Sequence, residues 1–209
     1  TVLQLACERN DVDFARLLLE RASPNKVTHE LSNPPLVLAV LQGNLKMCRL
    51  LLDRGADVSL TRKDGHTALG MAASRGDMYG IDLLLEHGAP VVGHVHIAFY
   101  TQHTPLIMGA RRGLALVVGR LLAAGAQINL YPNGTTALWE AALSGDLDTV
   151  RRLLAFRRDM RLEALANWSS VLHVVHMHGF LKDLPWLPYA DMHSRNSRGY
   201  TMLDDPDLT

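Results

Sequence analysis

The chain has no excess of charge of either sign, because its 209 residues include 21 basic and 21 acidic side chains. Proteins that bind nucleic acid without sequence preference draw most of their affinity from neutralising phosphates with Lys and Arg. The balance therefore argues against a general polyanion-binding protein, although it is compatible with local charged patches.

Long apolar runs and cysteines are also scarce. No run approaches the roughly 18 apolar residues of a membrane span, and the first ten residues, TVLQLACERN, lack the basic start and apolar stretch of a secretory signal. The two cysteines, Cys7 and Cys48, fit no metal-ligand spacing, so free thiols are expected rather than a disulfide framework. These features predict a protein of the cytosol or nucleus.

Catalytic motifs are missing as well. The sequence contains no glycine-rich phosphate loop, no GxSxG, no HExxH and no CxxC. His173 and His176 would share one face of a predicted helix, and His94 and His96 would point the same way from an extended loop, but neither pair has acidic or cysteine partners at a recognisable spacing. We therefore expect no metal site, no cofactor and no enzymatic activity.

What the sequence does contain is repetition. Five similar segments, separated by steps of 33, 33, 37 and 32 residues, begin at Thr1, Pro34, Thr67, Thr104 and Thr136. They read TVLQLACERND, PPLVLAVLQGN, TALGMAASRGD, TPLIMGARRGL and TALWEAALSGD. A weaker copy, SVLHVVHMHGF, begins at Ser170, and RGYTMLDD near Thr201 resembles the opening of a seventh.

Each clear copy continues into a second segment with apolar residues at helical spacing, such as MCRLLLDRGADV and YGIDLLLEHGAP. Thr67 is placed to cap the first helix of its copy, and Gly76 permits the turn into the second. Gly55 stands where a helix ends in a left-handed residue. Each copy is thus predicted to be a helical hairpin too short to fold alone, whose apolar faces are covered by neighbouring copies.

The segments TPLIMGA and TALGMAA, followed by SRGD and LLLEHGA, resemble the ankyrin repeat, whose signature opens T-P-L-H-x-A over roughly 33 residues. The resemblance covers residues 1 to about 156. It implies an all-α solenoid of helix-turn-helix units with short β-hairpin tips, and it predicts one array over residues 1–209 with about six repeats and a partial seventh. The expected repeats span approximately residues 1–28, 29–61, 62–98, 99–130, 131–164 and 165–195, with the partial repeat at 196–209.

Some positions depart from the repeat pattern. Asn10 and Ala22 replace glycines in the first copy, and the connection VVGHVHIAFYTQH before Thr104 is four residues longer than the others. The chain also begins where the turn before Thr1 is expected. We therefore expect it to be part of a longer protein.

The resemblance implies a protein-interaction module that binds a protein or peptide through its concave face, as a scaffold, adaptor or receptor segment. In the family, the positions that contact partners vary from protein to protein, and here they correspond to the ends of the inner helices and to the hairpin tips. The predicted contact residues are Gln42, Arg62, Lys63, His66, Arg75, Tyr100, His103, Arg111, Arg112, Tyr131, Asn133 and Ser144. Because a guanidinium group can hold a carboxylate or phosphate, Arg111 and Arg112 indicate an acidic or phosphorylated partner. The alternative is that these arginines only keep the surface soluble.

Two other functions remain open at this point. The array could be a regulatory domain that docks on an enzyme domain of the same parent chain. It also resembles the targets of asparaginyl hydroxylases, because Asn129 stands at the hairpin position with Leu121 eight residues before it. Gln127 replaces the acidic residue usually found in such targets.

Overall fold

The computed structural model describes residues 1–27, 33–92, 104–130 and 136–158, with the backbone alone at residues 157 and 158. The helices in these ranges are α1 Val2–Glu8, α2 Val12–Leu18, α3 Pro35–Gln42, α4 Leu45–Asp53, α5 Ala68–Arg75, α6 Met78–Glu86, α7 Pro105–Arg111, α8 Ala115–Ala123, α9 Ala137–Ser144 and α10 Leu147–Arg158. They form five consecutive hairpins, which confirms the all-α repeat architecture. The sixth copy, the partial seventh and the overlong connection VVGHVHIAFYTQH, apart from its first two residues, lie outside the described residues.

Side-chain caps explain where the helices begin. The Oγ1 atoms of Thr67, Thr104 and Thr136 each accept a hydrogen bond from the backbone N–H three residues further on, at 3.1–3.2 Å. Among the second helices, α4 and α6 are capped in the same way by Asn44 and Asp77. Each cap satisfies one of the N–H groups that a helix leaves without a partner in its first turn. The recurring threonine is therefore a helix cap, as the sequence predicts.

The turn between the two helices of a hairpin needs a left-handed residue. Gly76 ends α5 with φ +73°, and in the first repeat Asn10 takes a similar φ of +58°. Asparagine tolerates this conformation better than most residues with a side chain, so the missing glycine does not abolish the turn.

Three of these turns are covered by a side chain of the next repeat. A Cβ atom added at each of these glycines would lie within 2.8–3.6 Å of that side chain. The pairs of glycine and covering residue are Gly43 with Arg75, Gly76 with Leu114, and Gly113 with Asp146. Each of these turns is therefore covered by a residue 32 to 38 positions further along the chain.

The first helices of the hairpins, α1, α3, α5, α7 and α9, form an inner row in which each packs against the next. Small residues such as Ala72, Ala110 and Ala141 are fully buried there, which lets neighbouring inner helices approach closely. The second helices supply large apolar residues to the same core, among them Leu51 and Leu84, both 0% exposed. One continuous core therefore runs along the described stack.

The tip before α5 is the best described of the connections. Thr61 and Thr67 form an antiparallel bridge, and the backbone N–H of Arg62 donates to the carbonyl oxygen of His66 at 2.9 Å. This is a minimal β-hairpin of the expected kind, and the backbone N–H of Gly65 closes its turn by donating to the carbonyl oxygen of Arg62 at 2.9 Å.

Cys7 and Cys48 are buried free thiols in α1 and α4. Burial raises the pKa of each thiol to about 12, with smaller contributions from nearby acidic groups. Since the thiolate is the reactive form, both side chains act as small apolar core residues. Within the described ranges, no helix has the length and apolar character needed to span a lipid bilayer.

Candidate binding surface

The ends of the inner helices bring several predicted contact residues into one row. Gln42, Arg75, Arg111 and Ser144 are the last residues of α3, α5, α7 and α9, and Arg112 follows α7 directly. All five side chains are exposed. Because these helices pack side by side, the five residues form a continuous surface, which we call the inner-helix row.

The middle of the inner-helix row is basic. Arg75, Arg111 and Arg112 stand at the carboxyl ends of α5 and α7, where a positive charge interacts favourably with the helix dipole. Arg75 also reaches back over the turn of the preceding repeat, because a Cβ atom at Gly43 would lie 3.0 Å from its Nη2 atom. The row therefore combines positive charge with side chains that are partly held in place.

Arg111 forms an ion pair with a buried carboxylate of the next repeat. Its Nε atom lies 3.5 Å from Oε2 of Glu140 in α9. The Glu140 side chain is only 9% exposed, whereas that of Arg111 is 60% exposed. Glu140 lies in the first turn of α9, where the helix dipole favours a negative charge. The pair thus joins an exposed cation of the row to an acid beneath it.

Glu140 is not among the contact residues predicted from the sequence, although the sequence contains a signal for it. The fifth residue of each repeat copy is apolar in the first four and acidic in the fifth, and these residues are Leu5, Leu38, Met71, Met108 and Glu140. An alignment of the copies against one another would have marked Glu140 as the exception.

At the tip before α5, the predicted residues differ in accessibility. Lys63 is exposed, whereas Arg62 is partly buried and pairs with Asp64 at 3.1 Å between Nη2 and Oδ2. His66 is half-buried, and burial lowers the pKa of its imidazole, with Asp64 opposing this effect and Arg62 adding to it. Arg62 and His66 are therefore part of the tip's own structure, and Lys63 is the most accessible of the three.

The other predicted positions divide between described and undescribed parts of the chain. Tyr100, His103, Tyr131 and Asn133 lie outside the described residues, as do all four histidines considered as metal ligands. Asn129 is exposed in the turn that follows α8. In the described part of the chain, His, Cys, Asp and Glu side chains form no group of three or more that could hold a metal ion.

Comparison with known families agrees with this architecture. The family described as ankyrin repeats in three copies matches residues 1–62 and 36–132, and the single ankyrin repeat matches residues 133–161. A search of curated proteins finds no match to the chain. The family matches together include all ten described helices, from Val2 to Arg158. The chain belongs to the ankyrin-repeat family.

Proposed function

We propose that this chain is a non-catalytic recognition module whose inner-helix row binds an acidic or phosphorylated segment of a protein partner. Ankyrin repeats are generally modules of protein–protein interaction and are typically non-catalytic. The observation that carries the proposal is the exposure of Arg75, Arg111 and Arg112 at the ends of two neighbouring inner helices. Arginine is favoured at interface centres because its planar group makes paired hydrogen bonds to carboxylates and phosphates.

The dimensions of the row suggest the size of the bound segment. Packed helices lie about 8–10 Å apart, so the four inner helices from α3 to α9 span roughly 27 Å. An extended peptide rises about 3.3 Å per residue, so roughly eight residues would cover this distance. Gln42 and Ser144 lie at the two ends, on either side of the basic centre. The Gln42 side chain offers a neutral hydrogen-bonding group, whereas the Ser144 hydroxyl already donates to the carbonyl oxygen of Ala141 and accepts from the N–H of Asp146.

The proposal predicts that the double variant Arg75→Ala, Arg112→Ala binds the partner at least about tenfold more weakly, because two charge-assisted contacts are lost. Its melting temperature should change by only a few degrees, since both side chains are exposed. Arg111 is left in place because its removal would leave Glu140 buried without its cation. Affinity purification from cell extract with quantitative mass spectrometry, followed by titration of the recovered partner, measures the effect.

The matched control is Arg49→Ala, Arg54→Ala, which removes the same charge from exposed positions in and just after α4. It should retain the partner as the unmodified chain does. Equal loss by both double variants would show that bulk charge, not the inner-helix row, attracts the partner. Equal retention by both would remove the row from the proposed function.

The wider role follows from the same surface. A scaffold or adaptor would use the row for a separate protein, whereas a regulatory domain would use it for an enzyme domain of its own parent chain. In either role we place the protein in the cytosol or nucleus, where free thiols such as Cys7 and Cys48 persist, and we expect no sequence-specific nucleic-acid contact. Fractionation of cells expressing the protein tests the location.

A second candidate function is that of a substrate for an asparaginyl hydroxylase. The observation in its favour is that Asn129 is exposed in a turn, where an enzyme can reach it. Leu121, by contrast, is 0% exposed, so an enzyme that also read this leucine would have to open α8. If Asn129 is a substrate, mass analysis of the peptide that contains it should find one added oxygen atom on Asn129 and none in an Asn129→Ala variant. An unmodified Asn129 in cells that contain the hydroxylase would exclude this function.

A further inference from the structure

We infer that Glu140 is a positioning residue that holds Arg111 in place to bind a carboxylate or phosphate group of the partner. The inference rests on the proposed function, since it assigns a role to a residue beneath the inner-helix row. Glu140 itself lies too deep to be a principal contact, with 9% of its side chain exposed. Its effect on binding would pass through the guanidinium group of Arg111.

The first observation is that a carboxylate occupies a position where the fold needs none. Of the equivalent residues, Leu38 is buried and Met71 is packed against the core, whereas Leu5 of the first repeat is 43% exposed. Met108 is partly buried, and its sulfur atom would lie 2.9 Å from a Cβ atom placed on Gly70. Burying a charge costs free energy unless a partner and hydrogen bonds compensate for it, and a buried ion pair is often no more stable than apolar packing. The demands of the stack alone therefore favour Leu or Met at position 140.

The second observation is where the carboxylate lies. Oε2 of Glu140 is 3.5 Å from Nε of Arg111, so the contact is made to the inner edge of the guanidinium group. The Arg111 side chain nevertheless remains 60% exposed and stands next to Arg112 in the middle of the row. The ion pair thus restrains a charged group that still faces solvent.

This arrangement lowers the cost of binding. An arginine side chain has many rotamers, and much of this freedom is lost when a ligand immobilises the side chain. An ion pair that orders Arg111 in the unbound protein would move part of that loss from binding to folding. The ligand chemistry follows from the planar guanidinium group, which matches two oxygens of a carboxylate or a phosphate.

The test uses the full chain and two labelled octapeptides, one with four glutamates and one with two phosphoserines, each titrated against the unmodified protein and against Glu140→Met. Methionine is the residue at this position in two other repeats. If only net charge mattered, removing the acidic Glu140 should strengthen the binding of an acidic peptide, because the repulsion between like charges is reduced. Positioning predicts the opposite, a loss of about three- to tenfold, the range expected from ordering one long side chain during binding.

Stability separates this role from a structural one. Glu140→Met should unfold at the same temperature as the unmodified chain or at a higher one, because it replaces a buried charge with an apolar side chain. If the two residues act as a unit, adding Arg111→Ala to Glu140→Met should weaken binding only slightly beyond the loss caused by Glu140→Met alone. The peptide that binds more tightly identifies the source of the anionic group.

The outcomes are distinguishable. If neither peptide binds the unmodified chain, the acidic class of partner is wrong, and this inference is overturned together with it. If a peptide binds and Glu140→Met binds it equally well or better, the inner-helix row stands and the role of Glu140 is overturned. Weaker binding by a variant that is at least as stable supports the role of Glu140.

Discussion

Leu50→Ala is expected to lower the free energy of unfolding by about 2–4 kcal/mol, the usual cost of removing a buried leucine and leaving a cavity. Leu50 lies in α4, is 7% exposed and belongs to the continuous core. Helix α4 packs between α2 and α6, so the loss would weaken the contacts between repeats as well as those within one. Urea denaturation followed by circular dichroism measures the change.

The chain contains its own control for this substitution. Leu17 is the same residue at the same position of the first repeat, 33 residues earlier, and it is 63% exposed. Leu17→Ala should therefore cost no more than about 0.5 kcal/mol, as exposed substitutions usually do. Similar losses at both positions would show that burial between repeats does not govern stability at this site.

Gly113→Val is expected to destabilise the protein by about 2–5 kcal/mol, through two independent effects. Gly113 has φ +64°, a conformation that costs a residue with a side chain roughly 1–2 kcal/mol. A Cβ atom there would also lie 2.8 Å from Cβ of Asp146, a contact that ordinary structures do not contain. Relieving such overpacking adds about 1–3 kcal/mol.

Gly55→Val isolates the first effect. Gly55 has φ +80°, but a Cβ atom placed on it would meet nothing within 4 Å. This variant should lose only the roughly 1–2 kcal/mol of backbone strain. Thermal and urea unfolding of the two variants side by side give the difference, and equal losses would contradict the contact between Gly113 and the next repeat.

Much of the fold could be predicted because its determinants are local. The threonine caps and the left-handed glycines act within one hairpin, so their spacing in the sequence predicts both the helices and the turns. The repeat period adds the stacking, since a hairpin with two apolar faces must be covered by its neighbours. The same reasoning places Gln42, Arg75, Arg112 and Ser144 at equivalent positions, with Arg111 one residue earlier in its copy. The structure brings all five to the ends of neighbouring inner helices.

The details of the site could not be predicted because they depend on contacts between repeats. Glu140, which forms the ion pair with Arg111, is 29 residues away in the next hairpin. Which side chains meet there depends on how α7 and α9 are shifted relative to each other, and the length of the repeat does not determine this shift. Likewise, the sequence marks Arg62 and His66 as tip residues, but their partial burial follows from the conformation of the tip and its ion pair with Asp64.

The covered turns also mean that the repeats are not interchangeable units. A guanidinium group lies over Gly43, an isopropyl group over Gly76 and an acidic residue over Gly113, so each hairpin is matched to the one that follows it. Exchanging two hairpins of similar length would keep every cap and every leucine but would place unmatched side chains over these glycines. The linear order of the hairpins is therefore itself a determinant of stability, and a shuffled chain of identical composition should fold less well.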